Sequence, residues 1–245
     1  MSPRVLVVVP AWNEEASDGA VVSRLRAHGY DVAVVDDGSG DGTGPRARAA
    51  GAAVLPLPVN LGVGGALRCG FRYAVDHGYD VAVQCDADGQ HPPDQLTRVL
   101  ETQAATGAHL VIGSRFAGES AGMSVGGHRR LAMRLLARIA SRAAGRSITD
   151  PSSGLRAIAR PLLDEFARSY PVHYLGDTFE AIVVAGRAGY RIEEVAVTMA
   201  PRQAGQSSAR PLAALAFLGR ALIVSLGGLG FEVRPAPEAP TKGAP

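Results

Sequence analysis

Apolar residues come in short unbroken runs through the first half of the chain. Val5 to Val9, Asp31 to Val35, Ala52 to Leu57, Asp80 to Gln84 and His109 to Ile112 each read as a strand buried on both faces. Between them lie helical stretches at roughly 14–28, 43–50, 64–77 and 93–105. Strands alternating with helices predict the α/β class: an open, largely parallel, twisted sheet flanked by helices. Such sheets bind ligands beyond the carboxyl ends of their strands. Polar clusters follow these runs at just those ends.

The second half is less regular. It predicts a helix over about 128–145, a turn at Asp150-Pro151-Ser152-Ser153-Gly154, helices near 160–168 and 177–188, and a strand near 191–199. A polar loop spans 202–210, an apolar helix 212–226, and a Pro- and Ala-rich tail reads as disordered from 232–235 onward. No internal repeat is visible.

Composition narrows the class. The 245 residues are 47% hydrophobic and 20% charged, an ordinary globular balance. A net charge of +2 is too small to argue for nucleic acid. Cys69 and Cys85 have no metal-ligand spacing and make no disulfide framework, which fits a reducing cytoplasm. The opening apolar run is too short for a signal peptide. No stretch reaches roughly 18 uncharged apolar residues, and the nearest, Leu212 to Phe231, is interrupted by Arg220.

The richest chemistry follows the fourth run. Asp86 and Asp88 are one residue apart in Gln84-Cys85-Asp86-Ala87-Asp88-Gly89-Gln90-His91-Pro92. At a strand's end such a pair can clamp a divalent cation between protein and phosphate. A plain surface turn would use the same residues. After the first run, Trp12 could stack on a nucleobase and Glu14 accept from base N–H groups. The same residues also read as a helix start with Asn13 as N-cap. Asp36-Asp37-Gly38 could meet a ribose or base edge, or form a turn in which Gly40 and Gly42 supply positive φ. The Gly-rich segment from Asn60 fails the dinucleotide fingerprint at Leu67.

Basic residues complete the picture. Arg115 ends the fifth run as a candidate phosphate ligand. Arg130, Arg134, Arg138 and Arg142 recur every four residues beside a stripe of Leu131, Leu135 and Ile139. That is either a solvated face or an interfacial helix with arginines at lipid phosphates. The 202–210 loop, with Arg202, Ser207 and Arg210, suits a lid over phosphates.

Taken together, Pro-Ala-Trp-Asn-Glu, Val-Asp-Asp-Gly-Ser, Asn-Leu-Gly-x-Gly, Asp-Ala-Asp-Gly-Gln-His-Pro, Gly-Ser-Arg-Phe, Asp-Pro-Ser-Ser-Gly-Leu-Arg-Ala and Arg-x-x-Gly-x-Ser-Ser resemble the family 2 inverting glycosyltransferases of GT-A fold. The likeness is to the branch of dolichol-phosphate mannose synthase and bacterial polyprenyl-phosphate sugar transferases. It implies one catalytic domain over 1–210, with a nucleotide-sugar half to about 115 and an acceptor half beyond, followed by the 211–231 helix and the 232–245 tail. By that resemblance Pro10, Ala11, Trp12, Glu14 and Asp37 hold the nucleoside of a UDP- or GDP-sugar. Asp86, Asp88 and Gln90 bind Mg²⁺ or Mn²⁺, with Ala87 beside the diphosphate and Arg115, Arg202 and Ser207 on phosphates. Arg130, Ser141, Arg142 and Ser153 lie toward the acceptor.

The implied reaction moves a hexose-type sugar to a polyprenyl phosphate at the cytoplasmic face of the membrane. A hydroxyl acceptor would need a general base, for which Asp177 and Glu180 are the candidates. A soluble transferase using a small-molecule hydroxyl and a non-catalytic nucleotide-sugar binder remain as alternatives.

Overall fold

A computed structural model describes residues 3–117, 127–172, 177–200 and 232–237. Seven described strands form one sheet: β1 (Val5–Ala11), β2 (Asp31–Asp36), β3 (Ala53–Pro56), β4 (Val81–Gln84), β5 (Leu110–Ser114), β6 (Arg156–Ala159) and β7 (Ile192–Ala196). The helices are α1 (Asp18–Ala27), α2 (Thr43–Ala49), α3 (Gly62–Asp76), α4 (Pro93–Thr106), α5 (Gly127–Ala144), α6 (Leu162–Ser169) and α7 (Asp177–Arg187). The α/β class and the mostly parallel sheet agree with the sequence pattern.

Alternation explains why the strands carry unbroken apolar runs. Leu6, Val8, Ala33, Val35 and Ala82 face one core, shared with α3, α5, α6 and α7. Val7, Val9, Val32, Val34, Val81 and Val83 face the other, under α1, α2 and α4. Successive side chains point to opposite faces, so a sheet covered on both sides needs an apolar residue at every position.

The strand order is β3-β2-β1-β4-β6-β5-β7. From β1 the chain steps outward to β2 and β3, then returns to the other side of β1 at β4. That reversal leaves a crevice beyond the carboxyl ends of β1 and β4, where open α/β sheets take ligands.

β6 is a strand that the sequence pattern misses. It runs antiparallel to both neighbours, with Gln84 of β4 opposite Arg156. Its four residues are all buried, but a charged residue opens the run and hides the strand signal. Because β6 is reversed, the turn at 150–154 that feeds it reaches the same rim as the ends of β1, β2 and β4.

Four local expectations change. Helix α1 begins at Asp18, with Ser17 at the N-cap position, and Asn13 lies in the preceding loop at φ 53°. Positive φ after β2 belongs to Gly38 (φ 71°), not Gly40 or Gly42. Among the described side chains of α5, from 133 onward, Leu136 and Ala140 are buried, whereas Leu135, in the stripe read from the sequence, is exposed. Residues 232–237 are not a loose tail: Ser169 Oγ donates to the Glu232 carbonyl, and the Ala236 N–H to the Ala188 carbonyl. The predicted 202–210 loop and 212–226 helix lie outside the described residues. Among the described residues no helix is long and apolar enough to cross a membrane.

Helix α3 lies close on the sheet at Gly70, where a methyl group would stand 3.3 Å from both Val8 Cβ and Val35 Cγ2 and nearer still to Val8 Cγ1. Gly70→Ala should destabilise the fold by about 1–3 kcal/mol through overpacking, read as a lower urea midpoint. An unchanged midpoint would contradict this packing.

Candidate active site

The loop after β1 is stitched to the loop after β2. The Asn13 N–H donates to Ser39 Oγ at 3.0 Å, and Asn13 Oδ1 accepts from the Gly40 N–H at 2.9 Å. The Glu14 N–H donates to Thr43 Oγ1, and Ser17 Oγ donates to the Glu14 carboxylate. Pro10 and Ala11 pair with Val35 and Asp36 at the ends of their strands. This shelf leaves Trp12 55% exposed at the crevice mouth.

Asp37 is buried, and its carboxylate accepts from the Leu61 and Gly62 N–H groups at 2.7 and 2.9 Å. A carboxylate on the first amides of α3 is favoured by the helix dipole. These amide donors offset the charge of its acidic neighbour Asp36. The Gly-rich segment from Asn60 thus serves Asp37 and the helix start.

Asp86 and Asp88 stand just past β4, in a turn rather than on a strand face. Asp88 is buried, with Oδ1 accepting from the Gln90 N–H at 3.0 Å. The Asp86 side chain is 40% exposed, and its Oδ2 lies 3.4 Å from His91 Nε2. Ala87 is buried between them. The Gln90 carbonyl accepts from the Ala200 N–H, bringing the chain after β7 to the same place.

The turn before β6 closes the other wall. Arg115 donates through Nε and one Nη to the Asp150 carboxylate, at 2.6 and 2.8 Å, and to Ser152 Oγ. This bidentate pair, joined by the Asp150 and Asp86 charges, holds the guanidinium above its usual pKa despite burial. Arg115 is therefore already oriented, with 32% of its side chain at the surface. Ser153 Oγ donates to the Gly113 carbonyl and accepts from the Leu155 N–H, so it braces the turn. Ser141 likewise braces the chain after α5, through the Ala137 carbonyl and the Ile148 N–H. Arg142 is exposed on α5. The side chain of Arg130, and all of Arg202 and Ser207, lie outside the described residues.

Three participants have weak sequence signals. Arg156 is buried and donates to the carbonyls of Ser153, Thr178 and Pro151. Glu194 of β7 accepts from the Thr149 and Asp150 N–H groups. His91 is buried beside Asp86. His91 and Arg156 have a signal only in their sequence neighbours, the acidic pair and the Ser-Ser-Gly turn, and Glu194 lies far in sequence from both.

Asp177 and Glu180 open α7 and are both buried. Among the described residues Asp177 Oδ2 has no hydrogen-bond partner. Burial pushes the Asp177 carboxyl up to about 6, with Arg156 opposing and the Asp86 charge adding to the rise. Asp86, Arg115, Arg156 and Asp177 therefore share one electrostatic neighbourhood.

A divalent cation can be tested against this donor set. Among the described residues no group of three or more His, Cys, Asp or Glu side chains converges as a metal cage. The acidic pair offers hard carboxylate oxygens, one set in the protein and one reaching solvent. That suits Mg²⁺ or Mn²⁺ completed by ligand phosphates.

The fold and rim define a GT-A type α/β glycosyltransferase, and solved structures agree. Glucosyl-3-phosphoglycerate synthase from Mycobacterium tuberculosis, in complex with Mn²⁺, UDP-glucose and phosphoglyceric acid, superposes with a TM-score of 0.66 at 26% identity, over 92% of this chain and 79% of that one. The sequence model described as Glycosyl transferase family 2 matches residues 6–166, and the chain belongs to that family. It is 37% identical over 216 residues to the undecaprenyl-phosphate mannosyltransferase of Micrococcus luteus, covering 83% of this chain and 86% of that protein. It is 35% identical over 218 residues to the polyprenol monophosphomannose synthase of Mycolicibacterium smegmatis, covering 83% and 80%. Family membership makes this chain an enzyme and removes the non-catalytic binder.

The Asp177 environment predicts a pH dependence. Folding raises this carboxyl from 3.8 to about 6, so its contribution to stability is present below about 3.8 and lost as pH rises through 6. Relative to wild type, Asp177→Asn should gain stability from pH 4 to pH 7, by up to about 3 kcal/mol. Urea unfolding at each pH checks this; a difference independent of pH would contradict the buried carboxyl.

Proposed function

We propose that the protein transfers a hexose-type sugar from a nucleoside-diphosphate sugar to a polyprenyl phosphate. The observation that carries this reading is the acidic pair Asp86 and Asp88 just past the end of β4, whose parallel neighbour β1 leads into the Trp12 shelf. The names of the Micrococcus and Mycolicibacterium relatives support the acceptor.

Each residue then has a task. Trp12 offers an aromatic face to the base, and Glu14, half-buried on the shelf, offers a carboxylate to its edge. Pro10, Ala11 and the Asp37-braced loop shape that floor. Asp86 and Asp88, with Gln90 beside them, would hold Mg²⁺ or Mn²⁺, which stabilises charge on a departing diphosphate. Arg115, set in position by Asp150, presents a cationic edge to phosphate oxygens. Arg202 and Ser207 would reach the same phosphates from the segment after Ala200.

A phosphate monoester acceptor is already anionic at neutral pH and needs no strong base. That agrees with the burial of Asp177 and Glu180, which suits structural carboxyls better than a base at an open rim. The exposed Arg134, Arg138 and Arg142 on α5 could meet anionic headgroups, giving peripheral contact with a membrane. A second reading, transfer to a small soluble acceptor, draws support from the Mycobacterium tuberculosis synthase and its bound phosphoglyceric acid.

Labelled UDP-, GDP- and dTDP-sugars, offered with and without polyprenyl phosphate and with and without chelator, separate these readings. Label entering the organic phase only with lipid and divalent metal supports the proposal. Label confined to water-soluble acceptors replaces it with the second reading. Asp88→Asn should lower transfer by roughly 100-fold or more while circular dichroism stays unchanged; full activity would remove the acidic pair from the mechanism.

A further inference from the structure

We propose that Gly154, held in place by Arg156, is a positioning residue that fixes where the Asp86 carboxylate stands. This rests on the proposed role of Asp86 and adds a determinant for it: how tightly the acidic pair takes a divalent cation together with a nucleoside diphosphate.

Gly154 is not among the glycines with positive φ, so the turn itself does not require glycine there. Space does. A methyl group on Gly154 would stand 2.8 Å from Asp86 Oδ1 and 2.9 Å from Cγ, and closer still to Oδ2. The three nearest atoms all belong to the Asp86 carboxyl group. The bare α-carbon of Gly154 is thus the seat against which this carboxylate rests.

The seat is rigid. Arg156 donates Nε to the Ser153 carbonyl at 2.8 Å and one Nη to the Pro151 carbonyl at 2.9 Å. Its other Nη donates to the Thr178 carbonyl at 2.6 Å, tying the turn to the head of α7. Ser153 Oγ is bonded to the Gly113 carbonyl, and the Gly113 N–H to the Leu155 carbonyl. The turn is therefore fastened on both sides of Gly154, whereas the Asp86 carboxylate is the end of a side chain that is 40% exposed, with Oδ2 3.4 Å from His91 Nε2. A methyl group added at Gly154 moves the carboxylate and leaves the turn where it is.

Isothermal titration of the full chain with UDP and with GDP, each with Mn²⁺, tests this. Wild type should bind one of them in a Mn²⁺-dependent way, and Asp86→Asn should weaken that binding. Gly154→Ala should raise the apparent Mn²⁺ dissociation constant by roughly 10-fold or more, the scale seen when support around a metal ligand is lost. Its melting temperature should stay within about 2 °C of wild type, far less than loss of a buried contact would give. In the Asp86→Asn background the same substitution should change binding less than about 2-fold, because the residue it acts through has lost its charge. Equal Mn²⁺ affinity for wild type and Gly154→Ala, with Asp86→Asn weakened, overturns the positioning role alone. An equal loss in both backgrounds also overturns it. Mn²⁺-independent binding, or Asp86→Asn binding like wild type, overturns the role of Asp86 and this inference with it.

Discussion

A guanidinium enclosed by protein is costly unless it finds acceptors, and each of the three nitrogens of Arg156 donates to a backbone carbonyl. Burial lowers its pKa, and the fields of Tyr170, Asp177, Asp150 and Asp86 pull it back toward the charged form. The arrangement works only because β6 is reversed. Arg156 then opens a strand at the rim, opposite Gln84, rather than closing one at the far edge. One residue thereby joins three things that sequence keeps apart: the end of β4 through its strand pairing, and the turn at 150–154 and the start of α7 through its side chain.

The parallel part of the sheet was readable because burial on two faces leaves an unmistakable run of Val and Leu, as in β1 and β2. The reversed strand was not, since Arg-Ala-Ile-Ala has neither the length nor the uniform apolarity of its neighbours. Its charge is a tertiary matter, satisfied by carbonyls that no local pattern reveals. The same holds for Asp37. As a member of an acidic pair it suggests a ligand contact; that it also anchors amides from 24 and 25 residues away is visible only in the fold. Asp86 and Asp88 are conspicuous in the sequence as an acidic doublet beyond an apolar run, and the fold places both just past β4 with the Asp86 side chain near solvent.

The site also divides its charges by depth. Asp37, Asp150, Asp177 and Arg156 are buried and hold the frame, while Asp86 and Arg115 reach the surface. Arg115 meets Asp150 through a fork that fixes its plane. Charge aimed in advance loses little energy to reorientation when a phosphate arrives. Asp88 is buried as well, so in the proposed function the acidic pair spans both depths while the frame around it sets where Asp86 and Arg115 point.

Trp12 has a practical meaning of its own. It is the only tryptophan in the chain, and it sits half in water on the shelf beside the crevice. The indole emission of the native protein therefore arises at the rim and not in either core. A spectrofluorometer pointed at unlabelled, unaltered protein looks straight at the doorway.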